Sequence, residues 1–586
     1  MDYPAFHEIR QLRDQELSRE ILASMTVPSP ENDASTSGQA HGVAVIAASG
    51  VPATTGVAVA TVPTNRVPIE GSPTCIVPLY RDILADMETP VSAYCKAAQG
   101  PYSFLLESVA EGIHIARYSF IGIDPYMVLS HRGETATLRW MLCEDNTQAG
   151  DQARLALRIE EVACHDPLQL VQAELARYRL VTPASMAHDA LPIFHGGAVG
   201  YLAYEAAARF EALPMPTDDE LDLPLAIFCF TETVLVFDHL KHRVRIVAHL
   251  HLDAPDLEAE YQRGTAIIDE VQRRLQQEMR LPEEPGPTQQ SEALRVVSDR
   301  TRAEFEALVC QAKEYIQAGD IFQVTLSQRL SRHVNAAPFT VYRALRSINP
   351  SPYMFFLDLA DFQIIGASPE LLVRVEDGEV TIHPIAGTRP RGSNEADDLR
   401  FEEELQSDPK ERAEHVMLVD LGRNDVGRVS VPGSVRVGQF MEVERYSHVM
   451  HLVSDVTGQL QANVNAYDAL RAGFPAGTVS GAPKIRAMQI ISELEGTQRG
   501  VYAGAVGYFS HAGNMDTAIA LRTMVMKAGR AYIQAGCGIV ADSDPGSEYQ
   551  ESLNKAGALL KALDEAELIA GARTHTPGGT YAIVDR

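Results

Sequence analysis

At 586 residues with 45% apolar content, the chain is long enough for several domains and a sizeable core. Its formal charge of -28 argues against a nucleic-acid or anionic-membrane partner, so an anionic substrate would need a local cluster of Arg, Lys or metal. The seven cysteines are scattered, odd in number and lack any Cys-x-x-Cys pair, which suggests reduced thiols in a cytoplasmic protein, and no transmembrane span is present.

Residues 1–70 differ in composition from the rest. A charged segment, 8–20, reads as a short helix, and the run 42–63 is nearly free of charge and rich in Ala, Val, Thr, Gly and Pro. That run lies too far in for a signal sequence, and acidic residues from Asp2 onward disfavour a plastid transit peptide. The whole stretch is expected to be a flexible extension. From Val77 to His251, short apolar runs alternate with turn signals. Segments 102–109, 114–123, 226–239 and 242–252 read as strands, with a helical pattern around 168–178. An α+β domain rich in antiparallel sheet is expected. Residues 256–279 read as a helix, and the polar, Pro-rich stretch 282–292 as a linker.

The second half opens with a clear helix at 302–318, with Phe305, Leu308, Val309, Ala312 and Ile316 as its apolar stripe and Gly319 as its C-cap. Strand alternation from Ile321 then places Phe322, Val324 and Leu326 on one face and Gln323, Thr325 and Ser327 on the other. A hairpin turning at Asp377–Gly378 follows. Asp408 and Pro409 start a helix on which Glu411 and Glu414 share a face. Asp544 and Pro545 repeat the device with Glu548 and Glu551, and Lys555 lies one turn further on. Two Glu-x-x-Glu faces suit a hard divalent cation such as Mg2+. The helix macrodipole favours Glu in a first turn anyway, so spacing alone also allows a solvated surface.

Other signals are weaker. Gly477, Gly481 and Lys484 miss the spacing of a phosphate loop, and Ser552-x-x-Lys555 lacks the companion motifs of an acyl-serine enzyme. His448-x-x-His451 falls in a strand pattern, where residues three apart face opposite ways. Gly536-Cys537-Gly538 reads as a packed Cys between glycines.

Longer blocks point further: PIAGTRPRG (384–392), ERAEHVMLVDLGRNDVGRV (411–429), FPAGTVSGAPKIRAM (474–488), AGAVGYF (503–509), ALRTM (520–524) and AGCGIVADSDPGSEYQESLNKA (535–556). Together they resemble the chorismate-utilising enzymes, most closely the anthranilate synthase component I family, over about residues 302–563. LLES (105–108) and GGAVGYLAYE (196–205) fit more weakly. The resemblance implies an α+β fold, with large, mostly antiparallel sheets packed as a β-sandwich and helices outside. It also implies a regulatory domain at 71–290 and a chorismate-binding domain at 291–565, while the flexible extension over 1–70 and the tail at 566–586 have no counterpart in the family.

By the same resemblance, Glu414 and Glu551 bind Mg2+ with Glu411 and Glu548 in support. Gly387, Thr388, Tyr502, Arg522, Gly536, Gly538 and Lys555 hold the substrate carboxylates, and His451 serves the aromatising loss of pyruvate. Thr478 is the polar residue of the aminating relatives. Gln323 stands where isochorismate-forming relatives carry Lys, and Ala386 where aminodeoxychorismate synthases, the alternative reading, commonly carry a nucleophilic Lys. The expected reaction is therefore amination of chorismate by ammonia and elimination of pyruvate to give anthranilate. No Gly-x-Cys-x-Gly elbow is present, so a separate glutamine amidotransferase subunit is the expected partner. Leu106, Glu107 and Ser108, with Asn349, Pro350, Tyr353 and Met354, resemble the family's tryptophan feedback pocket.

Overall fold

The computed structural model describes residues 3–25, 73–109, 117–143, 155–183, 186, 191–285, 295–446, 449–571 and 583–585. The apolar run 42–63, most of the expected linker, and His448 lie outside these residues. Two large, mostly antiparallel sheets dominate, of 14 and 11 strands, with helices around them. One apolar core fills the space between the sheets, drawing Phe104, Val234 and Phe355 from the larger and Val128, Val199 and Tyr201 from the smaller. A second core lies beneath the helices Leu257–Leu275, Pro338–Ile348 and Pro545–Ile569.

Each sheet runs through both halves of the chain. In the larger, Tyr353–Asp358 pairs with Ser103–Glu107; in the smaller, Ala505–Ser510 pairs with Gly197–Leu202. The latter pair carries the same run, AVGY, on both strands, with Gly200 opposite Gly507. A Cβ on Gly200 would sit 1.9 Å from the Ile227 carbonyl oxygen, so these strands need glycine for close approach.

Three continuous apolar runs divide between the two sheets. Ala226–Thr231 belongs to the smaller and Thr233–Asp238 to the larger; Phe362–Ser368 passes to Leu371–Glu376, and Met515–Ile519 to Thr523–Lys527. The residues at the last two crossings are Glu370 and Arg522, and Arg522 adopts a positive φ of 46° to make the turn. Periodicity alone shows one long apolar run and cannot show where it changes sheets.

Most predicted elements are present. Helix Arg302–Ala318 has Thr301 as N-cap in a capping box with Glu304, and Gly319 closes it at φ 83°. The two-residue turn at Asp377 and Gly378 has both φ values positive, as a tight hairpin requires. Phe322 is a correction: it precedes the strand Gln323–His333 and is 73% exposed, while both faces of that strand are buried. The N-terminal extension is also not uniformly loose. Residues Phe6–Met25 form a helix whose Ile9 is buried, whose Phe6 packs edge-on to Tyr261, and whose Glu16 pairs with Arg179. The end of the chain is likewise tied in: helix Pro545–Ile569 runs past residue 565, and Ile583–Asp585 pairs in parallel with Val296–Ser298.

Candidate active site

Two helix starts bring the carboxylates in. The Asp408 carboxylate accepts from the N–H groups of Lys410 (2.9 Å) and Glu411 (3.3 Å), fixing helix Pro409–Val429. Asp544 does the same for Pro545–Ile569 through Ser547 N–H at 2.9 Å. Gln323 Nε2 donates to Glu414 Oε1 at 3.3 Å. Burial, and then the neighbouring charge of Glu411, hold the Glu414 carboxyl above its usual range. Lys555 Nζ lies 2.8 Å from Glu551 Oε1 and donates to the Gly536 carbonyl at 3.1 Å. Its charge also reaches Glu414, which places both helix starts around one ammonium group. Glu411 is paired with Arg389 at 3.0 Å, and Glu548 is buried.

Among the described residues, no group of three or more ligating side chains is already drawn together. The donors are nevertheless all carboxylate oxygens, and two of them, Glu411 and Glu414, repel each other. That is the ligand chemistry of a hard divalent cation, so the residues fit Mg2+.

Gly387, Thr388 and His451 form a second group. Gly387 has φ 65°, and a Cβ there would sit 3.0 Å from Glu411 Oε2, so glycine lets this strand lie against the carboxylate helix. The Gly387 carbonyl accepts from His451 Nδ1 at 2.8 Å, and the Thr388 hydroxyl is 3.1 Å from the same nitrogen. A carbonyl can only accept, so Nδ1 carries the proton and Nε2 keeps its lone pair. Burial lowers the imidazole to a pKa of about 4, so it is neutral at ordinary pH.

The third group was missed by sequence reasoning in one member, Glu370. Thr478 Oγ donates to Glu370 Oε1 at 2.7 Å. Burial pushes this carboxyl up to about 7, against the opposing pull of Thr478, His383 and Arg522. The only sequence signal is a lone Glu between two apolar runs, which looks like a turn. Arg522, partly exposed, makes no ion pair among the described residues, and desolvation lowers its pKa against the pull of Tyr446 and Glu370. A guanidinium with no ion-paired carboxylate has the chemistry to receive an anionic group.

Gly536 and Gly538 lie on strand Arg530–Ile539, opposite Ser327 and Thr325. A Cβ on Gly538 would meet Gln323 Nε2 at 2.4 Å, so glycine leaves room for the amide that reaches Glu414. Cys537 between them is fully buried, donates to the Glu548 carbonyl, and has its thiol pushed well up by burial, which makes it a packing residue. Tyr502 is buried beside Arg499, 5.5 Å from ring centroid to guanidinium, and borders a small cavity with Arg329 and Gln534. The cleft lined by Thr478 and Glu370 does not include it.

The expected effector residues divide between two faces. Glu107 pairs in register with Met354, and its carboxylate takes a two-pronged bond from Arg346 (2.9 and 3.1 Å) and one from the Tyr342 hydroxyl. Strand alternation turns this side chain toward the helix side. Tyr353 points the opposite way, its hydroxyl accepting from Arg374 Nη2 at 2.9 Å, and Arg374 in turn binds Asp516 at 3.0 Å. Leu106 packs against the core between the sheets. Ser108 Oγ, Asn349 Nδ2 and Asp516 Oδ1 are buried without hydrogen-bond partners. Asp516 had no sequence signal of its own.

Residues 124–561 match the family model of the chorismate binding enzymes. Anthranilate synthase component 1 of Pseudomonas aeruginosa is 47% identical over 84% of this chain and 96% of that protein. The corresponding protein of Acetivibrio thermocellus is 45% identical with the same coverage. The crystal structure of anthranilate synthase component I from Streptococcus pneumoniae superposes with a TM-score of 0.63 at 38% identity, covering 82% of this chain and 99% of that one. The menaquinone-specific isochorismate synthase of Escherichia coli, 18% identical with a TM-score of 0.60, shares the fold. The chain belongs to the chorismate-binding enzymes, in the anthranilate synthase component I family, and is an enzyme acting on chorismate.

Proposed function

We propose that this enzyme aminates chorismate at C2 with ammonia, in a Mg2+-dependent reaction, and eliminates pyruvate to give anthranilate, the first step of tryptophan biosynthesis. The arrangement that carries this reading is an Arg522 without an ion pair, flanked by Glu370, whose carboxyl burial pushes up to about 7, and a neutral His451. Chorismate brings two carboxylates, a leaving hydroxyl and an enolpyruvyl ether. Arg522 and Lys555 meet the carboxylates, with the backbone around Gly387, Gly536 and Gly538 giving them room. Glu414 and Glu551, supported by Glu411 and Glu548, would hold Mg2+, which when bound neutralises a carboxylate and stabilises charge as the hydroxyl departs. Glu370 supplies the proton that lets the hydroxyl leave as water, while Thr478 holds its other oxygen. His451 Nε2 takes the C2 proton during aromatisation.

Ala386, buried and without a nucleophile, disfavours the aminodeoxychorismate synthase alternative. Among the described residues, no helix is long and apolar enough to cross a membrane, which fits a cytoplasmic setting. Ammonia comes from a separate glutamine amidotransferase subunit, a reading supported by the relatives' designation as component 1. The purified chain, given chorismate, Mg2+ and an ammonium salt at alkaline pH, is expected to produce anthranilate fluorescence that EDTA abolishes. Aminodeoxychorismate or isochorismate in its place would overturn the reading.

The partnerless Ser108, Asn349 and Asp516 atoms support a ligand pocket, and tryptophan, with an ammonium, a carboxylate and an indole, is the proposed occupant. Ser108→Phe should raise the tryptophan concentration for half inhibition by about tenfold or more, a loss of about 1.4 kcal/mol, with kcat little changed. Unaltered inhibition in that variant would remove the pocket from this position.

A further inference from the structure

Arg499 lies outside every motif used so far and is 1% exposed. Its guanidinium is fully engaged. Nε donates to Glu495 Oε2 at 2.8 Å, Nη1 to the Val479 carbonyl at 2.8 Å, and Nη2 to the Thr325 carbonyl and Glu495 Oε1, each at 2.7 Å. Tyr204 and Tyr502 flank the group at 4.6 and 5.5 Å. Each partner leads to the site. Val479 follows Thr478, whose hydroxyl holds Glu370. Thr325 donates its hydroxyl to the Thr478 carbonyl at 2.9 Å and lies two residues from Gln323, which binds Glu414. Glu495 Oε1 also accepts from Ser327 N–H and Oγ at 2.8 and 2.9 Å, and Ser327 faces Gly536 across the sheet.

The N-terminal half grips the same node. Glu205, on the short turn Tyr204–Arg209, accepts from the backbone N–H of Arg499 at 2.6 Å and of Gly500 at 3.1 Å. The Tyr204 N–H in turn donates to the Gly500 carbonyl at 2.9 Å.

We propose that Arg499 is a positioning residue: it fixes the 477–480 turn against strand Gln323–His333 so that Thr478 aims Glu370, and Glu205 ties that arrangement to the N-terminal half. A buried ion pair is weak evidence for stability, because burying both charges offsets their attraction. The two carbonyl bonds are the informative part, since they go to the backbone of the catalytic turn and a lysine could not make them all. The inference rests on the proposed reaction for its kinetic consequence, and on geometry alone for its structural one.

The test is Arg499→Lys in the full chain, which keeps the charge opposite Glu495 but loses the fork. With ammonia as nucleophile, kcat should fall by about a hundredfold, as expected for a misplacement of order 1 Å. The KM for chorismate should stay within about threefold, because Arg522 and Lys555 are untouched. Amide exchange at residues 325 and 478–480 should quicken by about tenfold, while Ser103–Glu107 stays protected. Glu205→Gln, which leaves the guanidinium in place, should show a smaller loss of the same kind and serves if Arg499→Lys fails to fold. If kcat per folded molecule is unchanged, or exchange rises uniformly, Arg499 is only structural and the proposal falls. A wild-type chain that makes no anthranilate refutes the reaction instead, and the exchange pattern still decides the positioning role.

Discussion

Glu370→Gln is expected to lower anthranilate formation by about 10²- to 10⁴-fold, the usual worth of a general acid. Glutamine keeps the shape and can still accept the Thr478 hydroxyl at Oε1, so the fold and the binding of chorismate should persist. What it loses is a transferable proton. The Glu370 carboxyl sits at about 7 because burial disfavours its charge, and Arg522 and His383 pull it only part of the way back. Its acid form is thus present below that pH and lost above it. At fixed free ammonia, kcat/KM for chorismate should fall as pH rises through about 7, since that ratio reports the free enzyme. The same limb should be absent in the residual activity of Glu370→Gln. A variant retaining wild-type rates would remove Glu370 from the chemistry, and a limb that survives the substitution would assign it to another group.

How much of this site could be read from the residues depended on what kind of signal each carried. Glu411, Glu414, Glu548 and Glu551 were legible because a cap, a proline and a three-residue spacing are local, and the structure builds both helix starts as written. Gly387 and Gly538 were legible through motif, and their cause became visible only in space, where a Cβ would strike Glu411 or Gln323. Glu370 and Asp516 were not legible. One sits where a strand crosses between sheets, and the other projects from a strand otherwise read as apolar alternation. Their character comes from burial and from Thr478 or Arg374, more than 100 residues away in sequence.

The fold followed the same division. Caps, hairpins and helices with an apolar stripe were placed closely, since they are set by neighbours within a few residues. The merging of both halves into two continuous sheets was not, because Ser103–Glu107 meeting Tyr353–Asp358 spans some 250 residues and leaves no mark on either strand. Glu107 shows the same limit. LLES placed Glu107 beside Ser108 by motif, and only the pairing register shows that its side chain turns toward Tyr342 and Arg346.

His451→Ala should separate the two halves of the reaction. Amination requires a proton donor for the departing hydroxyl and an electrophilic ring, and neither depends on the imidazole. Loss of pyruvate requires removal of the C2 proton, and His451 is the neutral base held for it, with Nδ1–H fixed on the Gly387 carbonyl and Nε2 unprotonated. Burial keeps its pKa at about 4, so raising the pH above neutrality gains no further base. The variant is therefore expected to consume chorismate and ammonia and to release an aminated, non-aromatic product still bearing its enolpyruvyl group. Anthranilate formation should drop by about 10²- to 10⁴-fold. Mass spectrometry of the reaction mixture distinguishes the two products, since the intermediate retains the three carbons that leave as pyruvate. Full anthranilate production by His451→Ala would show that the C2 proton leaves by another route, and a variant that no longer consumes chorismate would place His451 in the amination step instead.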